Sequence, residues 1–291
     1  MRPRVSAIII VRDGEQFIAE AIESVIAQEG VAWELIVVDD GSSDGTEAIV
    51  QSFLARLGER LRHVHHAGHA NLGMSASRNL GISEASGDYV AFLDADDLWA
   101  PGKLAEQVTI LDKEPETAMV YGRTLIWHSW NPADDQRDFY YDLGIGADAT
   151  HPPGSLFRQL LANRYQTPTT CNAMIRRDAL LAIGGCDPGL RGMFEDQLLF
   201  AKLLLEYPTH VSSRCWAQYR QHAGSASARL TDPLEVDRAQ LRYLGAIRDY
   251  IRQGGSRAGT RERRALALTT MQVAARIAVR RAKRALRRNA Q

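Results

Sequence analysis

Three short runs of apolar residues, each followed at once by polar residues, constrain the fold of this chain more than any other feature. The runs occupy residues 5–11, 35–38 and 89–93. Buried strands of parallel sheets read as continuous apolar runs, because helices cover both faces of such sheets. Amphipathic helical patterns alternate with these runs, at residues 17–27, 44–57 and 75–85. The alternation predicts an α/β fold with a mainly parallel sheet flanked by helices.

Polar clusters follow the ends of the predicted strands. They begin at Arg12, Asp39 and Asp94. Ligands of open α/β sheets bind beyond the carboxyl ends of the strands, so these clusters predict one shared crevice.

Asp94, Asp96 and Asp97 place three carboxylates within four residues. Carboxylates this close repel one another in a dry site, so they need water or a cation nearby. Hard oxygen ligands of this kind suit Mg²⁺ or Mn²⁺. A solvated turn or a helix cap before Pro101 explains the same residues equally well.

Two further side chains are candidates for nucleotide binding. Asp39 can accept hydrogen bonds from a base or a ribose, or it can form a turn with its own backbone. Arg78, on a predicted helix of small residues, can hold a phosphate or base, although a surface salt bridge is the commoner fate of such an arginine.

Composition bounds the protein class. The chain has 291 residues, of which 45% are apolar and 24% are charged, so it can bury a sizeable core. Three cysteines without metal-site spacing predict neither zinc nor disulfides, and a reduced cytosolic compartment fits best. No run approaches membrane-spanning length, so we expect any membrane contact to be peripheral.

The formal net charge of zero conceals a basic tail. Residues 248–291 carry 13 Lys and Arg against 2 acidic residues, which leaves 22 against 33 in residues 1–247. The sequence of this tail predicts a helix over residues 271–288. The helix would bind anionic phospholipid, remain solvated or contact the acidic body of the protein. We do not expect a nucleic-acid partner. The long polar stretch 127–153 predicts either an acceptor-side lid or an insertion that covers a sheet edge.

Four motifs occur in order, at residues 37–46, 77–81, 87–97 and 195–199. Together they resemble the family 2 glycosyltransferases of GT-A fold, over roughly residues 5–225. The resemblance implies a Rossmann-like domain over 1–230, with a nucleotide-binding half (1–98), an acceptor half (99–230) and a helical basic extension (231–291). It also implies inverting, metal-dependent transfer of a sugar from a nucleoside-diphosphate donor, expected to be UDP-linked, to a hydroxyl of a glycan or lipid-linked acceptor.

The resemblance assigns ligands of the donor and its cation. It implies that Asp94 and Asp96, with Ala95 between them, hold Mn²⁺ or Mg²⁺ against the diphosphate. His222, in the segment 219–227, would ligate the cation or donate to a phosphate, although a histidine in such a loop is otherwise usually solvated.

The nucleotide pocket is assigned in the same way. The resemblance implies that Asp39 contacts the base, that Arg78 secures the nucleotide, and that Val11, Arg12 and Asp13 complete the pocket. Here the chain departs from the family, which commonly has Pro-Thr-Tyr-Asn where this sequence has Ile-Val-Arg-Asp. Arg12 would therefore stack on the base in place of an aromatic ring, or face solvent.

The pair Glu195-Asp196 is the other expected chemical centre. By resemblance, Asp196 takes the proton of the attacking hydroxyl. An acidic pair that stabilises a helix start is the alternative, and that position lowers the pKa of a carboxylate. The rival functions are a nucleotidyltransferase, which would need a glycine-rich basic loop after the first strand, and an inactive nucleotide- or glycan-binding adaptor at a membrane surface.

Overall fold

A computed structural model describes residues 2–225, 228, 231–254 and 256–289. Its strands are β1 (Val5–Val11), β2 (Trp33–Asp39), β3 (Leu61–His65), β4 (Tyr89–Asp94), β5 (Leu98–Trp99), β6 (Met119–Trp127), β7 (Phe139–Tyr140), β8 (Ala149–His151), β9 (Met174–Arg176) and β10 (Thr209–Arg220). Its helices are α1 (Ile18–Ile26), α2 (Thr46–Leu57), α3 (Met74–Glu84), α4 (Lys103–Lys113), α5 (Phe157–Ala162), α6 (Arg177–Ala182), α7 (Glu195–Glu206), α8 (Pro233–Arg252) and α9 (Thr260–Asn289).

The first half of the chain forms the predicted parallel sheet. Its strands lie in the order β3-β2-β1-β4, and every pairing among them is parallel. All seven residues of β1 are buried, as expected for a strand with helices on both faces. Ile8 and Ile10 pack into one core layer, whereas Ala7 and Ile9 pack into the other. The predicted α/β class is therefore confirmed.

The second half extends the sheet with mixed pairings. The order continues β4-β9-β6-β10-β5, where β6 and β10 are parallel and the other neighbours are antiparallel. The sequence did not predict β10, because Ser212, Ser213 and Arg214 interrupt its apolar pattern. The register shifts against β6 in the same part of the strand, between Val211 and Ala217.

The stretch 127–153 adds two short strands to this half. β7 pairs with β6, and β8 pairs with the beginning of β10. Both partners are interior strands of the sheet, since β6 lies between β9 and β10 and β10 lies between β6 and β5, so the stretch does not simply cover a sheet edge.

Close packing between α3 and β1 fixes the position of α3 on the sheet. A Cβ atom on Gly81 would lie 2.5 Å from Cγ2 of Ile8, so only glycine permits this approach. The helix therefore presents Arg78 toward the carboxyl ends of β1 and β4.

The two C-terminal helices pack on the body of the protein. α8 contacts α7, and α9 contacts α8 and α5. Val273 and Ile277 of α9 are buried. Asp237 of α8 accepts from Arg276 Nε at 3.0 Å and forms an ion pair with Arg280 at 2.7 Å. None of the helices among the described residues is both long enough and apolar enough to cross a membrane.

Candidate active site

The ends of three parallel strands form one edge of the sheet. Val11 of β1 pairs with Asp39 of β2, and Ile10 pairs with Asp94 of β4. The predicted polar clusters at residues 12, 39 and 94 therefore lie side by side.

The loops after β1 and β2 are joined by hydrogen bonds. Asp13 donates its backbone N–H to Ser42 Oγ at 2.9 Å, and its Oδ1 accepts from the backbone N–H of Ser43 at 2.8 Å. The side chain of Arg12 is 58% exposed, and its Nε lies 3.6 Å from Asp13 Oδ2. Asp13 thus connects the two loops, while Arg12 is open to solvent.

The two carboxylate oxygens of Asp39 have different surroundings. Oδ1 accepts from the backbone N–H of Ser42 at 2.8 Å, which is the turn that the sequence offered as one alternative. Oδ2 is buried and has no hydrogen-bond partner among the described residues. It lies 3.5 Å from His69 Nε2.

The structure brings Asp94, Asp96 and His222 into one region. Asp94 accepts from Arg78 Nη2 at 2.9 Å and from Thr170 Oγ1 at 2.6 Å. Asp96 Oδ2 lies 3.0 Å from His222 Nε2. Both carboxylates remain partly exposed, at 32% and 28% of their side chains.

Arg220, at the end of β10, holds the turn that carries these carboxylates. Its Nε donates to the backbone carbonyl of Asp96 at 2.9 Å, and its guanidinium lies 4.6–5.0 Å from the ring centres of Phe17, Trp127 and Trp130. Cation–π contacts of a desolvated guanidinium are favourable. Arg220 thus fixes the position of the turn from Asp94 to Asp97.

Asp97 differs from its two neighbours because it is 1% exposed. Its Oδ1 accepts from the backbone N–H of Arg220 at 3.0 Å. Burial, reinforced by the charges of Asp96 and Asp94, raises its pKa well above the ordinary value. Asp97 therefore anchors β10 and faces away from solvent.

Trp130 links the stretch 127–153 to the site. Its indole N–H donates to the carbonyl of Gln221 at 2.8 Å, and its ring makes edge contacts with Phe17 and His222. The beginning of this stretch thus lies against His222. Ala226 and Ser227, at the end of the predicted segment 219–227, lie outside the described residues.

Arg78 joins the start of α7 to β4. Its guanidinium is buried and donates to Glu195 as well as to Asp94. Ser75, one turn earlier on α3, donates to the other oxygen of Glu195 at 3.2 Å. The described contacts of Arg78 are thus with protein carboxylates.

Asp196 follows Glu195 at the beginning of α7. Its Oδ1 accepts from the backbone N–H of Gln197 at 2.8 Å. The sequence led us to expect a lowered pKa at this helix start. Although the side chain keeps some contact with solvent, desolvation by the surrounding protein, reinforced by the Glu195 charge, raises the pKa of Asp196 to about 6. The expectation was therefore wrong, because desolvation outweighs the helix dipole.

A strained residue precedes this acidic pair. Phe194 has a φ of +70°, a left-handed conformation that is costly for a bulky side chain. Its ring stacks on Tyr243 of α8 with a centroid distance of 5.5 Å and an interplanar angle of 13°. The C-terminal region thus supports the backbone at the start of α7.

The potential metal ligands fall into two groups. Asp94, Asp96 and His222 offer the oxygen and nitrogen atoms that Mg²⁺ or Mn²⁺ accepts, in partly exposed positions, and so they fit such a cation. The ligand atoms of Asp94, Asp96 and His222 nevertheless lie farther apart than those of Asp39, His65 and His69. One ligand atom from each of these three lies within 4.8 Å of the other two, the only such group in the described part of the chain.

Sequence reasoning missed three residues that shape the site: Thr170, Arg220 and Tyr243. Thr170 lies in the turn before β9, and no motif in the sequence marks it as a partner of Asp94. Arg220 lies in the segment 219–227, two residues before His222, and its position there was the only signal. Nothing in the sequence pairs Tyr243 with Phe194.

A family model described as "Glycosyl transferase family 2" matches residues 6–184. The Bacillus subtilis protein EpsE, named as a glycosyltransferase, is 40% identical over 111 residues, which are 38% of this chain and 39% of EpsE. TuaG of the same organism, named for teichuronic acid biosynthesis, is 34% identical over 133 residues, 46% of this chain and 52% of TuaG. The matched parts thus span about half or less of these relatives.

Solved structures share the fold at low identity. Residues 1–349 of S. aureus TarS in complex with UDP-GlcNAc match with a TM-score of 0.63 and 20% identity, covering 84% of this chain and 66% of that one. The mannosyltransferase PcManGT of Pyrobaculum calidifontis, in complex with GDP-Man and Mn²⁺, matches with a TM-score of 0.59 and 19% identity, covering 97% and 76%. These likenesses show that the fold is of the GT-A type.

Proposed function

Because this chain belongs to glycosyl transferase family 2, we propose that it transfers a sugar from a nucleoside-diphosphate donor to a hydroxyl group of a glycan or lipid-linked acceptor, with inversion at the anomeric carbon. One observation carries this proposal. The buried guanidinium of Arg78 joins Asp94, in the acidic cluster, to Glu195, which precedes Asp196. In this proposal Arg78 fixes the distance between the cation site at Asp94 and the base Asp196. A single displacement requires its reacting groups to be held in position in this way.

In this proposal Asp94 and Asp96 hold Mn²⁺ or Mg²⁺, with His222 as a further ligand. When bound, the cation neutralises the charge that develops on the departing diphosphate. Divalent cations at phosphate sites are commonly bound by one or two carboxylates plus phosphate oxygens. The open arrangement of Asp94, Asp96 and His222 therefore suits a cation that arrives with the donor.

Asp196 acts as the base. An acceptor oxygen attacks the anomeric carbon while the bond to the diphosphate oxygen breaks, and Asp196 takes the hydroxyl proton. A pKa of about 6 leaves Asp196 ionised at neutral pH and makes it a stronger base than an ordinary aspartate. Glu195 and Arg78 position the backbone that carries Asp196.

The donor nucleotide lies along the strand ends within residues 1–98. Oδ2 of Asp39, which accepts no hydrogen bond from the described residues, accepts one from the base. Val11, Arg12 and Asp13 form the neighbouring wall, where the exposed Arg12 is free to stack on the base. TarS and PcManGT were solved with UDP-GlcNAc and GDP-Man, which supports a nucleotide-sugar donor. We propose a UDP-sugar, used in the cytoplasm.

The acceptor binds on the side formed by residues 99–230, and α9 brings the protein to an anionic membrane surface. Four apolar side chains on α9 are 48–69% exposed: Leu268, Met271, Val279 and Leu286. At 100° per residue they share one face, opposite Val273 and Ile277, and the exposed Arg264 and Lys283 lie beside them. An apolar stripe flanked by cations is typical of helices that bind membrane interfaces.

The proposal is tested by UDP release from a panel of UDP-sugars with Mn²⁺, in the presence and absence of EDTA. We expect turnover that EDTA abolishes. Asp196→Asn should bind UDP as the wild type does and lose transfer. UDP binding without turnover on any acceptor would favour an adaptor, and full turnover by Asp196→Asn would exclude Asp196 as the base.

A further inference from the structure

Three side chains with metal-binding atoms converge at the ends of β2 and β3, outside the group of Asp94, Asp96 and His222. Asp39 is the last residue of β2 and His65 is the last residue of β3, and the two pair directly across the sheet. His69 follows in the short 3-10 turn Ala67–His69. Their ligand atoms lie within 4.8 Å of one another.

The buried Oδ2 of Asp39 is placed to accept a metal ion. Asp39 is 0% exposed, and its Oδ2 accepts no hydrogen bond from the described residues. A buried carboxylate oxygen without a partner is costly unless something binds to it. The 3.5 Å separation between this oxygen and His69 Nε2 is close to the roughly 3.4 Å between two ligands of a tetrahedral ion with bonds of about 2.1 Å.

The backbone holds His69 in this position. His69 has a φ of +55°, which is uncommon for a residue other than glycine. Its N–H donates to the carbonyl of His66 at 2.9 Å. On the other side, a Cβ atom on Gly41 would lie 2.9 Å from the carbonyl oxygen of His69, so the loop after β2 packs directly on this turn.

We infer that Asp39, His65 and His69 form a binding site for Zn²⁺. One carboxylate oxygen and two imidazole nitrogens are ligands that Zn²⁺ favours, whereas Mg²⁺ prefers oxygen atoms alone. Both histidines are exposed, so the ion enters from solvent and a water molecule completes the fourth position. β1 lies between β2 and β4, which separates this site from Asp94 by roughly 10 Å at the backbone.

The site regulates donor binding, an inference that rests on the proposed function. Oδ2 of Asp39 is the atom proposed to accept from the nucleotide base. When Zn²⁺ occupies this oxygen, the base loses its acceptor, so Zn²⁺ competes with the donor. Mn²⁺ bound with the diphosphate supports the donor from the other side of β1.

The test begins with Zn²⁺ alone and the untagged full chain, titrated against a chromogenic chelator. We expect one equivalent of Zn²⁺ to bind, and Mg²⁺ not to displace it. His65→Ala and His69→Ala should each weaken binding by at least about tenfold, since even changes outside the ligand shell cost that much. His66→Ala is the matched control, because His66 Nε2 contacts Ser77 Oγ at 3.0 Å instead.

Equal Zn²⁺ affinity in the wild type and both ligand variants would overturn the site, as would a comparable loss in His66→Ala. Both ligand histidines are exposed, and thermal unfolding of the variants without metal checks that they fold. UDP titration then tests the competition. Zn²⁺ should raise the Kd for UDP in the wild type and not in His65→Ala, and an unchanged wild-type Kd would refute the regulation. Failure to bind UDP with or without Zn²⁺ would instead count against the proposed function.

Discussion

Arg78 and Glu195 form an ion pair inside the protein, where the two residues are 2% and 4% exposed. The pair connects α3 to the first residue of α7 across the carboxyl edge of the sheet. The same guanidinium also pairs with Asp94, which is 32% exposed, so one buried cation serves both carboxylates.

Arg78→Met should destabilise the protein strongly. Removing the guanidinium leaves the Glu195 charge buried without its partner, and breaking such pairs costs about 3–5 kcal/mol. The free energy of unfolding in urea measures the effect. Arg62→Met is the control, since Arg62 also pairs with two carboxylates, Glu34 and Glu84, but is 37% exposed. The control should lose about 1 kcal/mol or less, and equal losses would contradict the importance of burial.

Asp196→Asn should stabilise the protein while it abolishes transfer. The folded state raises the pKa of Asp196 to about 6 from 3.8, so folding disfavours the ionised form. The resulting penalty is present above about pH 6 and disappears as the pH falls below the unfolded pKa near 4. We expect a gain of about 1–3 kcal/mol in unfolding free energy at about pH 8 and none at about pH 4.

Asp178→Asn provides the comparison for this gain. Asp178 also lies in the first turn of a helix, but it is exposed. Parallel pH series of the two variants separate desolvation from a helix-start effect. A similar gain from Asp178→Asn at about pH 8 would show that desolvation of Asp196 is not the cause.

Asp96→Ala and Asp97→Ala should fail in different ways, although the residues are adjacent. Asp96 is partly exposed next to His222, so its loss should weaken Mn²⁺-dependent UDP binding by at least about tenfold with little change in stability. Asp97 is buried and accepts a hydrogen bond from the backbone N–H of Arg220, so Asp97→Ala should lower the unfolding temperature. Calorimetric titration measures UDP binding with Mn²⁺, and thermal unfolding measures the stability of both variants. If UDP binding by Asp96→Ala depended on Mn²⁺ as it does in the wild type, the metal assignment would be excluded.

The double variant Leu268→Glu/Val279→Glu should reduce membrane binding. Each residue has about half of its surface exposed on the outer face of α9. Losing the burial of even one such side chain weakens binding by about tenfold. Co-sedimentation with vesicles containing an anionic phospholipid measures the loss, against zwitterionic vesicles. Leu181→Glu is the control, since Leu181 is 50% exposed on α6, and an equal loss there would contradict a role for α9.

The sequence predicted the parallel half of the fold well, because strands buried on both faces are apolar throughout. The predicted strand at residues 5–11 has the bounds that the structure gives to β1. β10 was not predicted because seven of its twelve residues are polar and its pairing with β6 is irregular. Its partners are distant in sequence, such as β6, with which it pairs, and Glu106, which contacts Arg214.

In the candidate site, too, the features set by local sequence could be predicted and those set by long-range packing could not. Carboxylates at strand ends could be located from sequence, because parallel strands bring their carboxyl ends to one edge. The partners of those carboxylates could not, since Arg78, Thr170 and Arg220 reach them only through long-range packing. The raised pKa of Asp196 likewise depends on how much protein surrounds it.

The stacking of Phe194 on Tyr243 has a consequence for the order in which the protein becomes active during synthesis. The strained backbone before Asp196 rests on a ring that the ribosome adds later, after the whole central sheet. Translation proceeds at about 5–20 residues per second, so Tyr243 is added roughly 1–5 s after the last residue of the sheet. The proposed base therefore gains this support only after Tyr243 of α8 has been made.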